Sequence, residues 1–291
     1  MPRAHARRAA FVHFMIPKAL PMPDITTLTA LAHDAGRLIM GIYEGGFEAR
    51  EKADGSALTE ADEKAEALIL AGLAARYPDV PVLAEEAAAR GEIPDLGERF
   101  FLVDPLDGTR EFVNRTGEFT VNVALIEHGV PVMGVVYAPA MAKMYAGSRE
   151  AGATVQTLRP DQASSDAPAP ERCATRPRPE GGLTAVASRS HRSAETEAFL
   201  QDIGATDFEP AGSSLKFCLV ATGQADVYPR LGRTMEWDTG AGQAVLEAAG
   251  GRVHALDGSG RELGVLRYGK ADRGYDNPHF IAWGGPRSHG A

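Results

Sequence analysis

A chain of 291 residues that is 44% apolar and 24% charged has the composition of an ordinary folded protein, which excludes extensive disorder. Its length suits one large or two fused α/β units. A net charge of −9 argues against a general nucleic-acid binder, so no nucleic-acid polymer is expected as a partner. An anionic small molecule stays compatible with that charge, because bound divalent cations reverse the local field. The two cysteines, Cys173 and Cys218, imply no disulfide framework and suit a reducing cytoplasm.

Residues 1–22 read as a disordered extension or a misassigned start, with Met15 or Met22 as alternative first residues. Arg3, Arg7 and Arg8 precede the apolar run Ala9–Ile16, an arrangement superficially like a signal peptide. His13 interrupts the run, Pro17 and Lys18 follow it, and no clean small-residue cleavage site is present. The run is too short to span a bilayer, so no stable membrane insertion is expected.

Regular structure begins with Asp24 as an N-cap. Ile25, Leu28, Leu31, Ala32, Ala35, Leu38, Ile39 and Ile42 then follow at helical spacing until Gly45-Gly46 stops the run. A second helix starts at Thr59, which forms a capping-box-like pair with Asp62. Phe100–Val103 is a short apolar strand ending at Asp104-Pro105. Phe119–Ile126 and Val132–Tyr137 are β-rich and joined as a hairpin through Glu127–Pro131, and Met141–Ala146 adds a further strand. Residues 148–182 are rich in Pro, Ala, Asp and Arg and read as a loop-rich crossover with some edge-strand content.

Beyond that crossover, strand and helix alternate. Leu183–Ala187, Ala225–Tyr228 and Arg252–Ala255 read as strands; Ala194–Ile203, Ser214–Thr222 and Thr239–Ala249 read as helices. Alternation of this kind predicts a mainly parallel sheet with covering helices. The chain divides into the extension 1–22, an α+β half over 23–150 and an α/β half over 151–291.

The segment Asp104-Pro105-Leu106-Asp107-Gly108-Thr109 stands where a strand end can aim several groups at one point. Two aspartates this near repel each other, so both stay ionised only beside a cation. The Leu106 carbonyl adds an oxygen, and Mg²⁺ selects such all-oxygen shells. Alone, the segment also reads as an Asp-Pro turn followed by an Asp-Gly turn. Glu85-Glu86 alone reads as a solvated pair, and Asp238 alone as a helix-start residue complementing the macrodipole. Their joint occurrence in this order favours a metal site.

Four segments together resemble the inositol monophosphatase superfamily, a set of metal-dependent, lithium-sensitive phosphatases. They are Lys52-Ala53-Asp54-Gly55-Ser56-Ala57-Leu58-Thr59-Glu60-Ala61-Asp62, Glu85-Glu86, Asp104–Thr109 and Trp237-Asp238-Thr239-Gly240-Ala241-Gly242. The likeness runs from about Asp24 to Trp283. Ala57 stands where the family has Pro, Ala84 where it has Ser or Gly, and Gly240 where it has Ala; none of these removes a carboxylate. The resemblance implies a layered αβαβα sandwich with the metal site between its halves. It also implies two or three Mg²⁺ ions held by Glu85, Asp104, the Leu106 carbonyl, Asp107 and Asp238. Asp54 resembles the residue that pairs with Thr109 to activate water, and Gly108 and Thr109 resemble those that present backbone N–H groups to phosphate.

Within the superfamily the chain resembles the 3′(2′),5′-bisphosphate nucleotidase branch most. Gly212-Ser213-Ser214-Leu215-Lys216-Phe217-Cys218, Tyr228-Pro229-Arg230, Ser188-Arg189-Ser190-His191 and Arg110-Glu111-Phe112 carry that likeness. It implies hydrolysis of the 3′-phosphate of adenosine 3′,5′-bisphosphate to AMP, extending to the corresponding phosphosulfate, within sulfate assimilation. A second phosphate needs cations, and Lys216 and Arg230 are the candidates, Arg offering a planar donor fork. Ser188, His191 and Ser213 are candidate hydrogen-bonding partners. Each also has a plain structural reading: Lys216 as a solvated helix position, Arg230 as a surface loop residue, His191 as an exposed neighbour of an N-cap. Relatives of this type are cytoplasmic, some associated with the inner face of the membrane. The rivals are an inositol-1-phosphate or sugar-bisphosphate phosphatase with the same metal site, and a catalytically silent Mg²⁺- or nucleotide-binding protein. Oligomeric state stays open.

Overall fold

The computed structural model describes residues 23–51, 57–187 and 194–285. The expected extension over residues 1–22 lies outside the described residues. Helix α1 (Ile25–Gly45) starts at Asp24, whose side chain accepts the Thr26 N–H at 3.1 Å, and ends at Gly46. Strands β1 (Ala49–Glu51) and β2 (Ala57–Thr59) pair antiparallel, and α2 (Glu60–Arg76) follows with a complete Thr59/Asp62 capping box. Next come β3 (Val82–Ala84), the short α3 (Glu85–Ala89), β4 (Arg99–Asp107) and the short α4 (Thr109–Val113). The strands β5 (Thr120–Glu127), β6 (Val130–Ala138), β7 (Lys143–Ser148), β8 (Gly152–Thr157) and β9 (Glu171–Cys173) complete a seven-stranded sheet in sequential order from β3.

The second sheet comprises β10 (Leu183–Ala187), β11 (Ala205–Pro210), β12 (Val227–Arg230), β13 (Arg252–Leu256), β14 (Glu262–Val265) and β15 (Phe280–Trp283). Its order is β11-β10-β12-β15-β13-β14. Helices α5 (Ala194–Asp202), α6 (Leu215–Ala221) and α7 (Gly240–Ala248) complete the chain.

Two expectations are corrected here. The second sheet is mixed rather than mainly parallel: β10 is parallel to β11 and β12, but β12–β15, β13–β15 and β13–β14 are antiparallel. The cause is the last strand, which inserts between β12 and β13, and the short hairpin that returns β14 onto β13. The division at residue 150 also moves. Strands β8 and β9, inside the supposed crossover, still belong to the first sheet, so the change of sheet falls between Cys173 and Leu183.

Alternating side chains make the layers. On β4, Phe101 and Val103 join Leu28, Ala32, Ala35, Ile39 and Ile69 of α1 and α2 in one core. Phe100 and Leu102 join Ala241 and Val245 of α7 and Phe217 of α6 in another. Both faces of the sheet are covered, which is why β4 and β5 read as nearly continuous apolar runs. Val186, Val253 and Phe280 of the second sheet share the core with α6 and α7. Its other face packs Leu183, Val227, Ile281 and Trp283 against Leu200 of α5. The order is helix, sheet, helix, sheet, helix, so the expected αβαβα sandwich is present. No described helix is long and apolar enough to cross a membrane.

Candidate functional site

Strand β4 does not end at Asp104, as the turn-forming Asp-Pro pair suggests; it continues through a bulge. The register runs from Arg99 opposite Glu127 to Asp104 opposite Asn122, then resumes with Asp107 opposite Thr120. Three steps on β4 therefore face two on β5, leaving one extra residue where Pro105 has no N–H to contribute. In a regular strand, residues three apart lie on opposite faces; the extra residue turns Asp107 to the same face as Asp104. It also sends the Leu106 side chain into the opposite core, with Phe112 and Phe119.

Gly108 follows at φ 93°, a left-handed conformation that suits glycine. A Cβ there would lie 3.2 Å from the Glu118 carbonyl oxygen and 3.3 Å from Glu111 Oε2, so a side chain would crowd both as well as strain the backbone.

The acids converge on this point. Asp104 is 1% exposed. Burial pushes its carboxyl well above the usual range, and the fields of Glu85, Asp107 and Asp238 and a hydrogen bond with Glu85 push it the same way. Burial likewise raises Asp238, with Asp107 and Glu85 adding to it; the Met235 N–H and Arg230 oppose the shift. Among the described residues, no three Asp, Glu, His or Cys side chains form a ready-made metal cage. The donor chemistry nonetheless fits a hard divalent cation: four carboxylates acting on one another beside the Leu106 carbonyl, in a place where their joint ionisation needs positive charge.

Asp107, Glu85 and Asp238 are held largely by groups that sequence reasoning did not single out for that part. Asp107 Oδ2 accepts hydrogen bonds from Ser213 Oγ at 2.7 Å and Ser214 Oγ at 3.0 Å, with Asn122 Nδ2 at 3.4 Å. Ser213 lies 2.5 Å from Thr120 Oγ1, and its backbone is left-handed at φ 50°. Buried Glu66 on α2 accepts the Glu86 N–H at 2.7 Å, which fixes the start of α3 and with it Glu85. Asp238 Oδ2 accepts the Met235 N–H at 2.8 Å, and its carbonyl, 2.8 Å from Ser214 Oγ, shares that hydroxyl's one proton with Asp107.

The described partner of Thr109 is a residue that the sequence reading did not assign to it. Asp54 lies outside the described residues, and the Thr109 hydroxyl donates to Asp62 Oδ1 at 3.1 Å, with the Leu106 carbonyl 3.3 Å away. Asp62 Oδ2 accepts from both the Thr59 N–H and the Thr59 hydroxyl at 2.7 Å. One residue thus caps α2 and orients Thr109, a second role that a local capping pattern does not reveal.

A cavity of ≈ 460 Å³ opens over this point, and Asp107, Gly108, Thr109, Ser213, Lys216, Tyr228, Arg230 and Asp238 are among the residues that line it. Arg110, Glu111, Phe217, Arg233 and Thr234 also line it and were not singled out as contacts. Lys216 is buried, not a solvated helix position. Its Nζ donates to the Ser213 carbonyl at 2.6 Å and stands 5.6 Å from the Tyr228 ring centroid. Burial brings its pKa down to about 8; Asp107 draws it up and Arg230 pushes it down. Arg230 donates through Nη2 to the Arg233 carbonyl at 3.0 Å, while its buried Nε has no hydrogen-bond partner among the described residues. Ser188 and His191 lie outside the described residues.

The model of the inositol monophosphatase family matches residues 22–281. The chain is 46% identical over 231 residues to the 3′(2′),5′-bisphosphate nucleotidase CysQ of Escherichia coli (strain K12), covering 78% of this chain and 89% of that protein. It is 37% identical over 255 residues to the nucleotidase of the same name from Buchnera aphidicola subsp. Acyrthosiphon pisum, covering 87% and 90%. The solved structure of CysQ from Bacteroides thetaiotaomicron, a bacterial member of the inositol monophosphatase family, is similar at TM-score 0.72 and 38% identity. It covers 90% of this chain and 98% of that one.

Proposed function

This chain belongs to the inositol monophosphatase family, and from that premise we propose that it removes the 3′-phosphate of adenosine 3′,5′-bisphosphate to leave AMP. It is a phosphoric monoester hydrolase of the 3′(2′),5′-bisphosphate nucleotidase type. The observation that carries the substrate is the cavity itself. Its lining brings Asp107, Asp238 and Thr109 together with Lys216 and Arg230, whose buried Nε has no hydrogen-bond partner among the described residues. A substrate with one phosphate at the acids and a second at the cations matches both sets of groups, whereas a monophosphate of inositol leaves the cations without a partner.

Glu85, Asp104, Asp107, Asp238 and the Leu106 carbonyl would hold Mg²⁺, which family members generally use. When bound, Mg²⁺ supplies the positive charge that lowers the pKa of the attacking water and stabilises the leaving oxygen. The protein's own part is proton handling and orientation. Because the Thr109 proton is committed to Asp62 Oδ1, a lone pair on Oγ1 is left to face the attacking water. As water attacks phosphorus, Thr109 takes the water proton and passes its own to Asp62; the P–O3′ bond breaks with its electron pair on O3′, which takes a proton from solvent water to become the 3′-hydroxyl of AMP. The two Thr59 donors on Asp62 Oδ2 hold the acceptor oxygen in place through that transfer. Gly108 and Thr109 would offer backbone N–H groups to the transferring phosphate, and Ser213 keeps Asp107 aimed while closing the floor of the cavity.

Phosphate release from adenosine 3′,5′-bisphosphate and from inositol-1-phosphate, side by side with Mg²⁺ and then with added Li⁺, tests the proposal. Preference for the nucleotide, lost with Li⁺, is the expected result. Preference for the inositol phosphate would keep the acid site and overturn the substrate.

A further inference from the structure

The loop Thr234–Thr239 carries Asp238 between β12 and α7 and has no regular structure of its own to fix it. Its central residue, Glu236, is 0% exposed. Glu236 Oε2 accepts the Gly269 N–H at 2.7 Å; Oε1 accepts the Lys270 N–H at 2.8 Å and meets Lys270 Nζ at 2.7 Å. The Glu236 N–H donates to the Tyr275 carbonyl at 3.0 Å. Its own carbonyl accepts the Thr239 and Gly240 N–H groups, which start α7 immediately after Asp238. Asn277 reinforces the same junction, with Nδ2 on the Met235 carbonyl at 2.7 Å and the Thr239 hydroxyl at 3.0 Å.

A fully buried carboxylate paired with an ammonium is a poor way to gain stability, because desolvation offsets much of the attraction and an apolar side chain of similar size serves as well. What the pair supplies is geometry: two backbone N–H groups and one ammonium fix a carboxylate in a single orientation. The part of the chain so fixed lies two residues before Asp238, on the side away from the cavity. The Met235 N–H, which Asp238 Oδ2 accepts, belongs to the same short loop.

We propose that Glu236 is a positioning residue for Asp238, anchoring the Thr234–Thr239 loop on the Gly269-Lys270 backbone so that the Asp238 carboxylate meets the divalent cation in a fixed orientation. The inference rests on the assignment of Asp238 to the cation-binding acids. Binding of Mn²⁺ alone to substrate-free protein, followed by electron paramagnetic resonance, tests it in wild type, Asp238→Asn, Glu236→Gln and Glu236→Asp. Glu236→Gln replaces one acceptor oxygen with a donor facing an N–H; Glu236→Asp keeps the charge but shortens its reach. Both are expected to weaken Mn²⁺ binding by about 10- to 100-fold, as loss of a partner that orients a metal ligand commonly does. The KM for adenosine 3′,5′-bisphosphate at saturating Mg²⁺ should stay within about twofold of wild type, a split that general destabilisation does not produce. Should Glu236→Gln fail to fold, Glu236→Asp carries the reading. Weaker binding in Asp238→Asn with unchanged affinity in the folded Glu236 variants would overturn this inference alone. Unchanged binding in Asp238→Asn would remove Asp238 from the cation site and take the inference with it.

Discussion

Replacing Asp62 with asparagine separates its two roles. From described residues the carboxylate receives two hydrogen bonds on Oδ2, from the Thr59 N–H and hydroxyl at 2.7 Å, and one on Oδ1 from Thr109 at 3.1 Å. Asparagine has one acceptor oxygen, and the two Thr59 donors hold it on their side. Its NH₂ then faces Thr109 and donates where the carboxylate accepted, so the Thr109 hydroxyl turns its proton to the Leu106 carbonyl at 3.3 Å. These three contacts survive in some form, and the capping bonds change from charge-assisted to neutral, a cost of about 1 kcal/mol. What disappears is the proton acceptor behind Thr109. Loss of positioned general-base catalysis lowers kcat by about 10²–10⁴-fold, or about 3–5 kcal/mol on the barrier. The assay is kcat at saturating substrate and Mg²⁺, paired with a thermal melt. A fold-competent Asp62→Asn enzyme with turnover within threefold of wild type would refute the relay.

Two further predictions concern the cavity and the packing beneath it. Lys216, with its pKa lowered to about 8, is charged below that pH and neutral above it. The KM for adenosine 3′,5′-bisphosphate should therefore rise as pH passes upward through about 8, and Lys216→Arg should flatten that rise; the same profile in both enzymes would contradict it. At Gly134 a Cβ would lie 2.7 Å from the Ala241 carbonyl oxygen and 2.7 Å from Ala244 Cβ, where β6 meets α7. Gly134→Ala should cost about 1–3 kcal/mol by overpacking, seen as a lower Tm; an unchanged Tm would mean that α7 is not seated against β6 as described.

Much of the architecture was legible because its signals are local. Asp24 and Thr59 cap helices with donors two or three residues away, and the continuous apolar runs of β4 and β5 announce strands covered on both faces. The four acids were legible as residues because the family pattern is specific to them. What stayed hidden depends on distant partners. Asp62 reads as half of a capping box, and only folding brings it to Thr109, 47 residues away. The bulge at Pro105 is invisible in a sequence that looks like a simple turn, although it alone puts Asp104 and Asp107 on one face. The last strand, Phe280–Trp283, is too short to show where it inserts, so its antiparallel place in the second sheet was missed. Glu66, Ser214 and Asn122 are ordinary helix and strand residues until their partners across the sheet are known.

The central claim is that this cavity recognises two phosphates on one nucleotide, and adenosine 3′-monophosphate isolates it. That molecule offers the same bond to the acids and Thr109 but nothing to Lys216 and Arg230. The measurement is kcat/KM for adenosine 3′,5′-bisphosphate relative to adenosine 3′-monophosphate, in wild type and in Lys216→Ala. A hydrogen bond between charged groups is worth about 1.5–3 kcal/mol, so wild type should favour the bisphosphate by about 10- to 100-fold or more, and Lys216→Ala should lose most of that preference. Equal loss on both substrates, with the wild-type ratio intact, would contradict the account.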